Sequence, residues 1–287
     1  MKTSIIMTSY NYESFIAQAI ESVIAQTVQE WELIIIDDGS KDKSLEIIND
    51  YCLKDERIKL FTHPNNKNRG LKNSILLGIQ NAKYDWIAFL ESDDYWEHNY
   101  LEEKLKFIEK YPDCGLIYNN VNCFGNEKII QNTTTYFEDL CYLWKNTEIK
   151  DVFDEFGQRN IVPTFSCVMC KKEAVLNINF ETPCNPVLDY WVWWQIAEKY
   201  QFGFINKKLT NWRFHQTSYF STSAKRLQHY MQRCLFINNI TKIFKRQPKL
   251  SSQNKLEKIL ILSFCIYFLI YAKRKLPQFI KNLFITR

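Results

Sequence analysis

The chain has 287 residues, of which 46% are apolar, and a formal net charge of +5 at neutral pH. This length and apolar content are enough for one large folded domain with a hydrophobic core, and they exclude a disordered chain. The nine cysteines are an odd number at irregular spacing, and no secretory signal precedes the first predicted strand. We therefore expect reduced thiols in a cytoplasmic protein rather than a disulfide framework.

The first part of the chain alternates between predicted strands and predicted helices. Residues 33–36 are apolar without polar alternation, which is typical of a strand covered on both faces. In chain order, the predicted elements are a strand at 4–7, a helix at 15–24, a strand at 31–36, a helix at 44–52, a strand at 58–61, a helix at 71–79 and a strand at 86–90. This order predicts an α/β fold with a Rossmann-like, mostly parallel sheet and helices on both faces.

After about residue 112 this alternation ends, and short predicted strands at 116–118, 165–170 and 202–205 lie among irregular segments. We therefore divide the chain into residues 1–120, residues 121–224, which complete the site within the same domain, and an extension at residues 225–287. In FSCVMCKK, Cys167 and Cys170 have the spacing of a zinc or redox pair. No second ligand pair accompanies them and the segment is apolar, so we interpret them as core residues.

The extension at residues 225–287 is strongly basic. It holds 14 of the 37 Lys and Arg residues and a single acid, Glu257, so it carries +13 and the rest of the chain carries −8. Its apolar run at 259–272 is shorter than the roughly 20 residues that span a bilayer. A basic helical tail of this kind favours peripheral contact with an anionic membrane, while a homodimer contact through these helices and packing on the core stay open. Nucleic acid is not an expected partner, because no base-reading motif is recognisable.

Acidic side chains follow two of the predicted parallel strands. Asp37 and Asp38 come directly after the strand at 31–36, and the three acids of ESDDYW come after the strand at 86–90. The carboxyl ends of parallel strands meet at one edge of the sheet, where α/β folds bind their ligands. Crowded carboxylates repel one another unless a cation lies among them, and Mg²⁺ and Mn²⁺ suit both carboxylate ligands and phosphate-bearing substrates. The alternative is that the acids only cap the helices that follow.

Several motifs of the first half occur together in one order and spacing. They are SIIMTSYNYESF, IIIDDGSKDKS and NRGLKNSILLGIQNAKYDWIAFLESDDYW. These motifs resemble the nucleotide-sugar-binding half of family 2 glycosyltransferases, which have the GT-A fold. The resemblance is close over residues 1–120 and extends more loosely to about residue 220, through VLDYWVWWQIA and NWRFHQTSYFS. The tail lies outside it.

The resemblance assigns the first half to donor binding. It implies that Thr8 and Tyr10 hold the base and stack on it, and that Asp38 accepts a hydrogen bond from the imide N–H of uracil or thymine. Lys72 stands where the family often has arginine and would lie near the base or the phosphates.

In ESDDYW, the resemblance implies that Asp93 binds hydroxyl groups of the ribose or sugar and that Asp94 ligates an Mn²⁺ or Mg²⁺ cofactor. Glu91 stands where the family usually has Asp, so its direct involvement stays open. On what resembles the closing loop of the family, Arg213 would contact the diphosphate, and His215 would contact either the diphosphate or the metal.

Asp189 matches the position of the family's general base, which would remove a proton from the acceptor hydroxyl. Leu188 and the aromatic residues after Asp189 are expected to raise its pKa by desolvation. One of the tryptophans of VLDYWVWW is a candidate platform for the acceptor sugar. A core helix capped by Asp189 is the structural alternative.

These assignments predict an inverting glycosyltransferase that moves a sugar from a nucleotide diphosphate, expected to be UDP, to a hydroxyl of a growing glycan. A single base implies a single displacement, with inversion. Bacterial family members that build surface polysaccharide or lipooligosaccharide often have a tail like this one. The resemblance therefore implies a glycan or glycolipid acceptor, and a location at the cytoplasmic face of the inner membrane. One alternative is a sugar-nucleotide nucleotidyltransferase, which would show a glycine-rich basic loop where this chain has TSYNYES. The other is an inactive nucleotide-sugar-binding protein, which would tolerate loss of the acids.

Overall fold

The computed structural model describes residues 1–127, 130, 139–181, 188–215, 244–246 and 249. Its strands are β1 (Thr3–Ser9), β2 (Trp31–Asp37), β3 (Ile58–Thr62), β4 (Trp86–Glu91), β5 (Tyr95–Trp96), β6 (Leu116–Gly125), β7 (Ile149–Lys150), β8 (Val168–Lys171) and β9 (Phe202–Phe214). Its α-helices are α1 (Ile16–Ile24), α2 (Ser44–Lys54), α3 (Leu71–Asn81), α4 (Tyr100–Lys110), α5 (Phe153–Phe156), α6 (Lys172–Leu176) and α7 (Leu188–Ala197).

The described strands form one sheet in the order β3-β2-β1-β4-β8-β6-β9-β5, with β7 also paired to β9. The strands β3, β2, β1 and β4 are parallel, and β8 is antiparallel to its neighbours β4 and β6. β9 runs parallel to β6 and antiparallel to β5. The predicted α/β fold is confirmed, and residues after 120 extend the sheet of the first half.

Side chains of the sheet alternate between two hydrophobic cores, one on each face. In β1, Ile5 and Met7 belong to one core and Ile6 to the other. The first core includes residues of α1, α2 and α4, and the second includes residues of α3, α5, α6 and α7. All seven residues of β2 are buried between these layers, which explains why the strand has no polar alternation.

Helix α7 is buried at every residue except Asp189. The side chains of Trp191, Trp193 and Trp194 are each 0% exposed, and the ring of Trp193 packs against Phe89 and Phe165. The expectation that one of these tryptophans forms a platform for the acceptor sugar is therefore wrong. A helix that is apolar around its whole circumference belongs in a core.

The cysteine pair is also buried in the core. Cys167 and Cys170 are each 0% exposed, and burial raises the pKa of the Cys167 thiol to about 12. Both are free thiols, as are Cys52 and Cys114 among the described residues. The interpretation of the pair as core residues is confirmed.

Part of the predicted C-terminal extension packs on the body. Phe244 is 5% exposed, and its ring lies 5.1 Å from that of Phe153 and 5.2 Å from that of Trp194. Arg246 pairs with Asp151 at 2.6 Å. The apolar run at 259–272, with the membrane and dimer contacts predicted for it, lies outside the described residues. Among the helices that the structure describes, none combines the length and the hydropathy needed to cross a bilayer.

Candidate active site

A cavity of about 710 Å³ opens at the carboxyl ends of β1, β2 and β4. Its wall also includes residues 68–74, residues 163–165, the start of α7 and the end of β9. This is the sheet edge at which the sequence predicted a ligand site. The volume suits a small-molecule ligand.

The two acids at the end of β2 have different roles. Asp37 is fully buried, and its Oδ1 accepts the backbone N–H groups of Gly39 (3.1 Å) and Ser40 (2.9 Å), while its Oδ2 accepts the Ser40 hydroxyl (2.5 Å). Asp37 therefore builds the turn. Gly39 has φ +82°, and a Cβ there would lie 2.7 Å from the carbonyl oxygen of Asn66, so the turn requires glycine.

Asp38 faces the cavity and joins the turn to the loop before α3. Its Oδ1 accepts the backbone N–H of Arg69 (2.6 Å), and its Oδ2 accepts that of Gly70 (2.8 Å). Nε2 of His63 also lies 3.5 Å from Oδ1. A carboxylate oxygen has two lone-pair sites, so Oδ2 can accept one further hydrogen bond. Thr8 and the ring of Tyr10, which is 43% exposed, line the same cavity. The structure thus brings together the three residues predicted to hold the base.

Hydrogen bonds also fix the loop after β1 to the loop after β2. Asn11 donates its backbone N–H to Oγ of Ser40 (3.0 Å) and accepts the backbone N–H of Lys41 on its Oδ1 (2.7 Å). The backbone N–H of Tyr12 donates to Oγ of Ser44 (2.9 Å). Side chains from both loops are therefore held at defined positions before any ligand binds.

Lys72 lines the cavity from the first turn of α3. Its Nζ pairs with Oε1 of Glu181 at 2.6 Å, and the Glu181 side chain is 78% exposed. An ion pair this exposed contributes less than about 1 kcal/mol. Lys72 can therefore exchange Glu181 for a phosphate at little cost.

The two adjacent acids of ESDDYW have different surroundings. Asp94 is 2% exposed; its Oδ2 accepts the Ser166 hydroxyl (2.6 Å) and its Oδ1 accepts the backbone N–H of Arg213 (2.9 Å). Asp93 lines the cavity, and its Oδ2 lies 3.0 Å from Nε2 of His215. That Asp94 ligates a metal stays a prediction. Asp93, whose carboxylate lines the cavity beside His215, is a second candidate ligand.

Arg213 supports the turn that carries these acids. Its Nε donates to the carbonyl oxygen of Asp93 (2.8 Å), and its Nη2 donates to Oε1 of Gln18 (2.5 Å). The guanidinium lies over the rings of Phe15 and Phe124, 4.7 and 4.5 Å from their centroids. Arg213 therefore positions Asp93, and its predicted contact with a diphosphate stays a prediction.

Several carboxyl groups are crowded together beside His215. Burial and the charge of Asp93 raise the pKa of Glu91 to about 7, and burial raises the pKa of Asp94 well above its usual range. Burial and the neighbouring acids also raise the pKa of the Tyr12 hydroxyl. A divalent cation would relieve this crowding, and Asp93 and His215 offer it one carboxylate and one imidazole. The described residues contain no group of three or more His, Cys, Asp or Glu placed to hold a metal.

Asp189 lies in the first turn of α7, on the cavity wall. Burial raises the pKa of its carboxyl from 3.8 to about 6. Hydrogen bonds from the backbone of Tyr190 and from Asn160 lower the pKa but do not offset the effect of burial. Nδ2 of Asn160 donates to Oδ2 of Asp189 at 3.0 Å. A carboxyl group with this pKa is ionised at neutral pH and basic enough to accept a proton from a hydroxyl.

The segment NIVPTFS at 160–166 provides donors to the acids of the site, and the sequence analysis missed it. Besides Asn160, Thr164 donates its hydroxyl to Oε2 of Glu91 (2.7 Å), and Ser166 donates to Asp94. The predicted strand at 165–170 begins only at residue 168, because 165–167 form a 3₁₀ turn. The signal that could have found these residues is three small polar side chains in an otherwise apolar segment.

Comparison with known proteins identifies the family. Residues 4–178 match the sequence profile described as glycosyl transferase family 2. A Haemophilus influenzae protein named "Uncharacterized glycosyltransferase" is 47% identical over 187 residues, which are 60% of this chain and 74% of that protein. This chain belongs to glycosyl transferase family 2.

Another relative in this family is WfgD of Escherichia coli, named as a UDP-Glc:α-D-GlcNAc-diphosphoundecaprenol β-1,3-glucosyltransferase. It is 30% identical over 229 residues, which are 78% of this chain and 82% of that protein. S. aureus TarS 1–349 in complex with UDP-GlcNAc superposes with a TM-score of 0.63 at 18% identity, covering 86% of this chain and 68% of that one. The mannosyltransferase PcManGT from Pyrobaculum calidifontis, in complex with GDP-Man and Mn²⁺, has a TM-score of 0.67 at 12% identity, with 98% and 78% coverage. At these identities the structures show the fold, and the predicted GT-A fold is confirmed.

Proposed function

We propose that this glycosyltransferase takes a UDP-sugar as donor and transfers the sugar, with inversion, to a hydroxyl of a glycan or glycolipid. The observation that carries the proposal is the placement of three chemical functions on one cavity wall. Asp38 offers hydrogen-bond acceptors at the end of β2, Asp93 stands beside His215 after β4, and Asp189 offers a base at the start of α7.

The donor would lie along the edge formed by β1, β2 and β4. Asp38 would accept the imide N–H of the uracil, with Thr8 and the exposed ring of Tyr10 beside the base. Lys72 would leave Glu181 for the diphosphate, since the ion pair it gives up is largely exposed.

Transfer would use the base at the start of α7. Asp189 would remove the proton of the acceptor hydroxyl as its oxygen attacks the anomeric carbon. One base supports one displacement, so an α-linked donor would give a β-glycoside. Asp93 and His215 would hold Mn²⁺ or Mg²⁺, which when bound neutralises charge on the departing nucleotide diphosphate.

The acceptor class rests on the relatives. WfgD, by its name, acts on a sugar linked to diphosphoundecaprenol, so we propose a glycolipid acceptor in bacterial surface-glycan synthesis. The basic tail would hold the enzyme at the cytoplasmic face of the inner membrane through anionic lipid. A homodimer formed through the tail stays a prediction.

The test is to incubate the full chain with a panel of UDP-sugars and Mn²⁺, and to follow UDP release with and without a lipid-linked acceptor. We expect release with UDP-sugars to exceed release with GDP-sugars, and excess chelator to suppress it. NMR coupling constants of the product should show a β linkage from an α-linked donor. An α-linked product would overturn the single-displacement mechanism. Nucleotide release from GDP-sugars alone would show that the donor nucleobase is guanine and not uracil.

A further inference from the structure

We propose that Asn160 is the residue that positions the carboxylate of Asp189 to receive the proton of the acceptor hydroxyl. The inference rests on the proposed role of Asp189 as the general base. It concerns a residue outside every motif that the sequence analysis used.

The orientation of the Asn160 amide is fixed by a second hydrogen bond. Its Oδ1 accepts the backbone N–H of Val162 at 3.1 Å, which leaves Nδ2 to face Oδ2 of Asp189 at 3.0 Å. An amide N–H can only donate, so this contact favours the ionised form of the carboxylate. Flipping the amide would break both contacts.

The segment that carries Asn160 is held firmly in the core. Ile161 is 1% exposed and Val162 is 0% exposed. Two residues further on, the hydroxyl of Thr164 donates to Oε2 of Glu91. The same short segment therefore fixes the carboxylates of both Glu91 and Asp189, whose charges interact.

The contact with Asn160 leaves part of the Asp189 carboxylate for substrate. A carboxylate has about four lone-pair sites, and the Asn160 amide uses one on Oδ2. Because Asp189 lines the cavity, the acceptor hydroxyl would approach the carboxylate beside this contact, which fixes the plane of the carboxylate towards it.

The pKa of Asp189 depends on burial, on its hydrogen bonds and on one neighbouring acid. Among the described residues, Glu91 at the end of β4 is the titratable group whose charge interacts with that of Asp189. Burial raises the pKa of Asp189, whereas Asn160 and the backbone N–H groups of α7 lower it. Removing Asn160 should therefore move the pKa further upward.

The test measures the Asp189 carboxyl directly in the full chain, with ¹³C-aspartate labelling and NMR titration. The signal is assigned by its loss in Asp189→Asn, and the label leaves Glu91 invisible. We expect Asn160→Ala to raise the pKa of Asp189 by about one pH unit, the worth of one hydrogen bond to a charged acceptor. Asn160→Asp, which keeps an acceptor for the Val162 N–H and adds a like charge, should raise it more. The acid limb of the kcat profile should move by the same amounts.

Asn81→Ala serves as the matched control, because it removes an amide donor to the carbonyl oxygen of Leu77 (2.8 Å) in α3. It should leave both the titration and the pH profile unchanged. If both Asn160 variants titrate Asp189 as the wild type does, or lower kcat equally at every pH, the positioning role is overturned. If the titration moves as expected but no nucleotide sugar is turned over by the wild type, the contact stands and the proposed reaction fails.

Discussion

The carboxylate proposed as general base should weaken the fold that carries it, and Asp189→Asn should reveal this. Burial raises its pKa from 3.8 to about 6. One pH unit corresponds to ~1.4 kcal/mol, so complete burial would cost about 3 kcal/mol once the group is ionised. Because Asp189 lines an open cavity, water screens part of this cost. We expect Asp189→Asn to raise the free energy of unfolding by about 1–2 kcal/mol near neutral pH.

This gain in stability should depend on pH. A carboxyl group whose pKa is higher in the folded protein costs nothing below its unfolded pKa of 3.8, and the cost grows until pH passes the folded value of about 6. The variant should therefore be more stable than the wild type near neutral pH and equally stable near pH ~3.5. Asparagine keeps an oxygen that can accept from Asn160, so this contact persists.

Urea denaturation at both pH values measures the stability, and steady-state kinetics with saturating donor measure turnover. Turnover should fall by ~10²-fold or more while donor affinity stays nearly unchanged. A variant that gains no stability near neutral pH would refute the reasoning about burial. A variant with normal turnover would show that Asp189 is not the base.

Three further predictions concern the metal, the nucleotide loop and the tail. Asp93→Asn should lower Mn²⁺-dependent transfer by ~10²-fold or more, because the proposed ligand loses its charge. Asp94→Asn should retain more activity than Asp93→Asn. Transfer rates of both variants are measured with and without chelator. Gly39→Ala should destabilise the fold by more than ~1 kcal/mol and weaken UDP binding, because its Cβ would meet backbone atoms. Gly70→Ala, at φ +83° with nothing within 4 Å of the added Cβ, should show only the cost of the backbone strain. Denaturation measures the stability of both variants, and calorimetry measures their UDP binding. Deleting residues 255–287 should abolish salt-sensitive flotation with anionic liposomes, because each basic residue near the leaflet contributes ~1 kcal/mol.

Each of these predictions has an outcome that contradicts it. Full activity of Asp93→Asn, or undiminished wild-type activity in excess chelator, would remove the metal from the mechanism. Equal losses of stability and of UDP binding in the two glycine variants would show that the close contact between Gly39 and the backbone of residues 66–68 is unimportant. Unchanged flotation after truncation would assign the tail to the core or to a subunit contact.

The sequence predicted the fold through features that depend on few distant contacts. A strand with no polar alternation, as in β2, must be covered on both faces, and its direction follows from the helices that alternate with it. The ends of β2 and β4 therefore meet whatever the details of packing. This placed Asp38 and Asp93 on the cavity with Thr8 and Tyr10.

The roles of adjacent acids could not be predicted, because they are decided by residues far away in sequence. Asp94 is turned from the cavity by Ser166 and Arg213, which follow it by 72 and 119 residues. Asn160 precedes Asp189 by 29 residues in a segment without a recognisable motif. The role of helix α7 could not be predicted for a different reason. Its sequence is apolar around the whole helix, so no periodicity indicates whether its tryptophans bind a ligand or lie in the core.

The contacts of Phe244 and Arg246 hold this part of the chain against the side of the sheet that carries α5 and α7. Ile259 follows Lys249 by ten positions, and a stretch of that length reaches no further than about 35 Å. A bilayer that holds the apolar run would thus lie within this reach of the α5 and α7 side of the sheet. If the proposed membrane contact forms, the α5 and α7 side of the sheet would stay within this distance of the bilayer, so contacts remote from the cavity would limit how far a lipid-linked acceptor must reach to enter it.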